Sequence, residues 1–147
     1  MNKQRPKYTS VRVGDSFAVI RPEVRLVGDN ETDEFTAIVR QLDDQRLAFI
    51  VVDLGAIDWI ATPGISALVD AHKRFTARGG HVLLARLDKR IHNMLIVSKL
   101  SLIFDVYATV EAAIQAGQRK SVSVPEGARG ADETGAGNRD AASGLAR

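Results

Sequence analysis

Two oxygen-bearing side chains in residues 49–68, FIVVDLGAIDWIATPGISAL, stand where a fold could use them. Asp53 closes the apolar run Ile50-Val51-Val52, so it is a carboxylate at the end of a buried strand. Thr62 precedes Pro63 and Gly64 at the start of an amphipathic pattern, so its hydroxyl sits at the mouth of a helix. The first backbone N–H groups of such a helix lack internal partners, and its dipole presents partial positive charge there. A threonine N-cap followed by proline at the first helical position accounts for both residues without any function. Proline also pushes the residue before it toward the extended backbone that a cap needs.

The other reactive side chains form no constellation. His72, His81 and His92 have neither metal-ligand spacing nor a carboxylate at fixed offset, and Ser66 lies outside a Gly-x-Ser-x-Gly elbow. Gly79-Gly80 lacks the further glycines of a dinucleotide loop and follows a helix instead of opening one. With no cysteine, a thiol nucleophile, a thiolate metal site and disulfides are all excluded. The pattern predicts no catalytic residues, no metal and no cofactor, hence a protein that is not an enzyme.

The elements that would position Thr62 follow from periodicity. Residues 8–21 read as a hairpin, with Thr9, Val11 and Val13 alternating, Gly14-Asp15-Ser16 turning and Phe17 to Ile20 resuming. A short strand is expected over 24–27. Asp29 or Asn30 then caps a helix whose Phe35, Ile38, Val39 and Leu42 fall on one face. Residues 48–54 form a central strand covered on both faces. In the helix after Thr62, Ile65, Leu68, His72 and Phe75 form the buried stripe, and Gly79-Gly80 end it. A strand over 81–85 and a helix capped by Asp88 follow, with Ile91, Met94 and Leu95 inward. Residues 102–107 are read as a last extended segment and Thr109 as the cap of a final helix. The fold class expected is α/β: one domain, a mixed sheet of about five strands packed by about four helices.

At 147 residues the chain has the size of one domain. The boundaries expected are a flexible stretch over 1–8, the domain over 9–117 and a disordered tail over 118–147, where large apolar residues nearly vanish. The two ends carry +3 and +1 of the overall +2, which leaves −2 on residues 9–117. A slightly acidic domain with no basic patch among aromatics is not built for nucleic acid. No apolar run reaches the ~18–20 residues of a membrane span and no signal-peptide core opens the chain, so a cytoplasmic protein without membrane insertion is expected.

The ordered set VVDLGAIDWIATPGISALVDAHKRFTARGGHVLLARL and RIHNMLIVSKLSLIFDVYATVEAAI resembles the STAS domain of bacterial anti-sigma factor antagonists. The likeness covers about residues 9–117: a strand ending in Asp-Leu, a junction of the Asp-Ser-Ser/Thr-Gly-Leu type, a helix closed by Gly-Gly, a strand and a late Leu-x-x-Ile-Phe segment. It implies a STAS-like fold and a partner-switching role. In that family an anti-sigma factor, itself a kinase of the histidine-kinase-like ATPase fold, phosphorylates the hydroxyl residue at the junction, and a metal-dependent serine/threonine phosphatase reverses this. The unmodified antagonist binds the anti-sigma factor and frees the sigma factor. Carried over, the phosphoacceptor is Thr62 and the family glycine is Gly64. The partner-binding surface implied comprises Asp58, Trp59, Ile60, Ala61, Pro63, Gly64, Ser66, Asp70 and Lys73.

The chain departs from the family at three places: Ala61 replaces the junction aspartate, Pro63 the second hydroxyl, and Val27 an aspartate of the early segment. These departures keep an alternative open, a degenerate docking module that binds without a phosphate switch in a stress-signalling or transport-associated complex. A receiver-like phospho-aspartate at Asp53 is a further alternative, although the acidic pair and late lysine of receivers are missing. Self-association to a homodimer is left open by the sequence.

Overall fold

The structure, a computed structural model, describes residues 6–122. Thr9–Val13 (β1) and Phe17–Pro22 (β2) form the expected antiparallel hairpin, with Val11 opposite Ile20. The chain continues through Asn30–Asp44 (α1), Phe49–Asp53 (β3), Thr62–Thr76 (α2), His81–Ala85 (β4), Lys89–Val97 (α3), a 3-10 turn at Leu100–Leu102, Asp105–Tyr107 (β5) and Val110–Val122 (α4). The strands lie side by side in chain order, and β2 to β5 are parallel.

That order decides where the helices go. Each crossover steps to the next strand in the same direction, and crossovers between parallel strands share one hand, so their helices fall on one face of the sheet. The packing agrees. Ala18, Ile20, Ile50, Val52, Val82 and Leu84 meet Phe35 and Val39 of α1, Leu68 and Phe75 of α2, and Ile91 and Leu95 of α3. The alternate residues of the same strands, Val19, Phe49, Val51, Leu83 and Ala85, meet Val110 and Ala113 of α4 on the other face. All five β3 residues are buried, as an apolar strand covered on both sides requires.

Two local expectations are corrected. Residues 24–27 are not a strand: only Leu26 pairs, in a single parallel bridge with Ile60. The segment over 102–107 is extended only from Asp105, because Lys99 adopts a left-handed φ of 65° and reverses the chain into the 3-10 turn. Among the first eight residues, Lys7 and Tyr8 are tied down, their N–H groups donating to the Glu34 carboxylate at 2.6 and 2.8 Å. The helix that Thr109 caps is Val110–Val122. The remainder of the expected disordered tail, and residues 1–5, lie outside the described residues. Among the described residues no helix is long and apolar enough to cross a membrane.

Candidate functional site

The start of α2 is set by its neighbours more than by its own side chains. Ala61, extended at φ −83° and ψ 169°, is the N-cap, which makes Thr62 the first helical residue. The sequence placed Thr62 in the capping position, and the structure moves it one residue inward. The cause is the arrival of the loop. Leu26 pairs with Ile60 and accepts from the Ala61 N–H at 2.9 Å, which fixes Ala61, and its carbonyl then accepts from both Gly64 and Ile65. Thr62 makes no side-chain cap, and its side chain is left exposed. Gly64 is buried because a Cβ there would lie 2.5 Å from Ile60 Cγ2 and 2.6 Å from the Leu26 carbonyl.

A second loop, residues 26–29, backs this start. Gly28 takes a left-handed φ of 99°, and a Cβ on it would meet the Pro63 ring at 2.9 Å. Asp29 occupies the N-cap of α1 as expected, yet its side chain caps nothing. Glu31 does that work: one carboxylate oxygen accepts from the N–H groups of Val27, Gly28 and Asp29 at 2.7, 3.1 and 3.2 Å and from the Thr32 hydroxyl at 2.9 Å. Burial pushes the Glu31 carboxyl up, but the N–H donors of Val27, Asp29 and Glu31 itself, with the Thr32 hydroxyl, outweigh it and bring it down to about 2.

Asp58 joins these loops. Its carboxylate takes both Nε and Nη2 of Arg25, at 2.8 and 3.1 Å, and lies 3.7 Å from Arg90 Nη1 at the start of α3. The Arg25 guanidinium holds the Asp58 carboxyl below the usual carboxylate range. Trp59 is 40% exposed beside it, an aromatic available to a partner. Ile60, expected at the partner surface, is fully buried, since it supplies the bridge and the floor under Gly64.

Along α2, Thr62, Ser66, Asp70 and Lys73 are exposed and fall within about 80° of arc at 3.6 residues per turn, opposite buried Leu68 and Phe75. This crest has a groove on each flank. Toward α3, Thr62, Ile65, Arg90, Asn93, Met94 and Val97 line an open, largely apolar groove of about 510 Å³. Toward α1, Asp70, Lys73 and Arg74 share a groove of about 480 Å³ with Arg40. The structure thus gathers Asp58, Trp59, Ala61, Thr62, Pro63, Ser66, Asp70 and Lys73 along one accessible stretch, with Ile60 and Gly64 beneath as scaffold.

The other reactive residues stay apart from it. Asp53 is 5% exposed and accepts from Arg86 Nε at 2.9 Å and from the Gly55 N–H at 2.9 Å. Arg86 and Asp53 help to line a third groove, of about 410 Å³, with Val110 and Glu111 of α4. His72, expected on the buried stripe, is half-buried with its ring edge-on to Phe104, centroids 5.2 Å apart, and its Nδ1 has no partner. No group of His, Asp and Glu that could hold a metal occurs among the described residues. Sequence reasoning missed Arg25, Glu31, Arg86 and Arg90, whose partners, apart from the loop held by Glu31, stand about 30 residues away and leave no local pattern.

Residues 8–113 match the family model of the STAS domain. Solved structures share the fold at low identity. A Thermotoga maritima protein proposed to be an anti-sigma factor antagonist superposes with a TM-score of 0.70 at 18% identity, over 76% of this chain and 95% of that one. The Bacillus cell fate determinant SpoIIAA in its phosphorylated form gives 0.61 at 16%, over 74% and 97%. The STAS domain of a SulP transporter from Vibrio cholerae gives 0.59 at 19%, over 76% and 88%. None of the curated proteins matches the sequence. With the family model spanning the hairpin, the sheet and the helix that carries Thr62, this chain belongs to the STAS-domain family.

Proposed function

We propose that this chain is an anti-sigma factor antagonist acting in the cytoplasm, a docking protein whose contact surface is the crest of α2. Its partner is an anti-sigma factor of the histidine-kinase-like ATPase fold, and phosphorylation of Thr62 switches the contact. One observation carries the reading: Thr62 heads an exposed stripe, with its side chain engaged in no cap. A hydroxyl with no structural task can be modified without unfolding the helix. In the transfer, Thr62 Oγ attacks the γ-phosphorus of ATP, the bond to the β,γ-bridging oxygen breaks, ADP leaves, and the hydroxyl proton passes to a base of the kinase. The product adds about −1.5 to −2 charge where the partner must pack. A metal-dependent phosphatase would restore the hydroxyl. SpoIIAA, of the same fold, has been solved both as the unphosphorylated anti-sigma factor antagonist and phosphorylated.

The test is incubation with candidate anti-sigma kinases and ATP, read by intact mass and site mapping, alongside binding of the native chain and Thr62→Glu. Modification at Thr62 and weaker binding of the variant support the switch. The second reading, docking without a switch, is favoured by the apolar Ala61 and Val27 beside the α2 start. It predicts equal affinity for native protein and Thr62→Glu.

A further inference from the structure

Thr62 and Arg90 line the same groove, on opposite walls, and Asn93 stands three residues after Arg90 on the same side of α3. Arg90 is weakly committed. Its side chain is 69% exposed, and it lies 3.7 Å from an Asp58 carboxylate that already accepts two hydrogen bonds from Arg25. A phosphoryl group on Thr62 would offer it three unshared oxygens and more charge than the carboxylate does. We infer that Arg90 is the receiver of the Thr62 phosphate: its guanidinium turns from Asp58 to the phosphoryl oxygens, and the Asn93 amide donates to another of them. This rests on the phosphorylation reading above and adds how the modification acts.

The consequence is mechanical as well as electrostatic. A phosphate held from both walls ties the first turn of α2 to α3 and roofs the apolar lining formed by Ile65, Met94 and Val97. An apolar side chain of the partner that enters the groove beside the unmodified hydroxyl is then shut out. Asp58 keeps Arg25 as its counterion, so the transfer of Arg90 leaves no carboxylate unpaired.

The experiment installs phosphothreonine at position 62 of the full chain during translation, so that no kinase is needed, and follows the phosphate by ³¹P NMR titration. The expected result is that Arg90→Gln lowers the second ionisation constant of the phosphate about threefold relative to the native background. Lys89→Gln removes the same charge one residue away, outside the groove, and should change it by clearly less. Thermal melts confirm that both exposed substitutions leave the protein folded. An unchanged constant in Arg90→Gln, or an equal fall in Lys89→Gln, overturns the Arg90 assignment. Because the phosphate is supplied without an enzyme, that failure is distinct from the failure of the proposed function, which would show as no modification of Thr62 by any anti-sigma kinase.

Discussion

A methyl group added at Gly64 would press on Ile60 Cγ2, on Leu26 Cβ and on the Leu26 carbonyl, all at 2.5 to 2.6 Å. Two of the three are backbone or Cβ atoms that cannot rotate away. Gly64→Ala should therefore cost about 1–3 kcal/mol by overpacking, read as a lower urea midpoint, despite the better helix propensity of alanine. Thr62→Ala has the opposite expectation. Since Thr62 caps nothing, its loss should change stability by less than about 0.5 kcal/mol; a loss near 1 kcal/mol would mean that the hydroxyl caps the helix in solution. The two residues also show how far local sequence carries. Thr-Pro-Gly located the helix start to within one residue, because proline and a hydroxyl are strong local signals. It could not say which residue caps, since that is set by Leu26, more than thirty residues upstream. Ile60 was read as surface for the same reason: its burial depends on a bridge formed only in the folded chain.

At the scale of elements, the loop before α1 is held by a carboxylate that its neighbours keep ionised. Glu31 titrates at about 2 when folded, below its ordinary 4.5. Between those values the unfolded chain binds more protons than the folded one. Its stabilisation is therefore complete above about pH 4.5 and is lost as pH falls toward 2. Between about pH 5 and pH 2.5, native protein should lose about 2 kcal/mol more than Glu31→Gln does, measured by denaturant midpoints at each pH. The reach of Glu31 back to three successive N–H groups depends on the left-handed Gly28, which no local pattern announces. On the far face of the sheet, α4 approaches closely at Gly117, where a Cβ would meet the Phe49 ring at 2.4 Å. Gly117→Ala gains up to about 1 kcal/mol in helix propensity and should still be destabilising, since the ring it strikes is fully buried. A melt at or above the native midpoint would contradict this.

For the whole molecule, strand and helix alternation was legible because each strand is a short apolar run bounded by turn residues, and each helix has one apolar stripe. The expectation of about five strands and four helices holds, and so do the hairpin at the start, the Gly79-Gly80 stop and the Asp88 and Thr109 caps. What the sequence could not show is the common end at which the loops after β2, β3 and β4 emerge. Hydrogen exchange should follow this layout. The amides of β3, buried on both faces and paired on both edges, should exchange slowest, and those of the 3-10 turn fastest. Faster exchange in β3 than in β1 would contradict the layered packing.

Asp58 draws together three crossovers, through Arg25 from the first, its own loop from the second and Arg90 from the third. A growing polypeptide emerging from the ribosome therefore cannot assemble this end of the sheet until the third helix has been made. On the proposed function, competence to dock arrives late in synthesis and all at once, so truncated products that stop before residue 90 should compete poorly for the proposed partner even where their first four strands have formed.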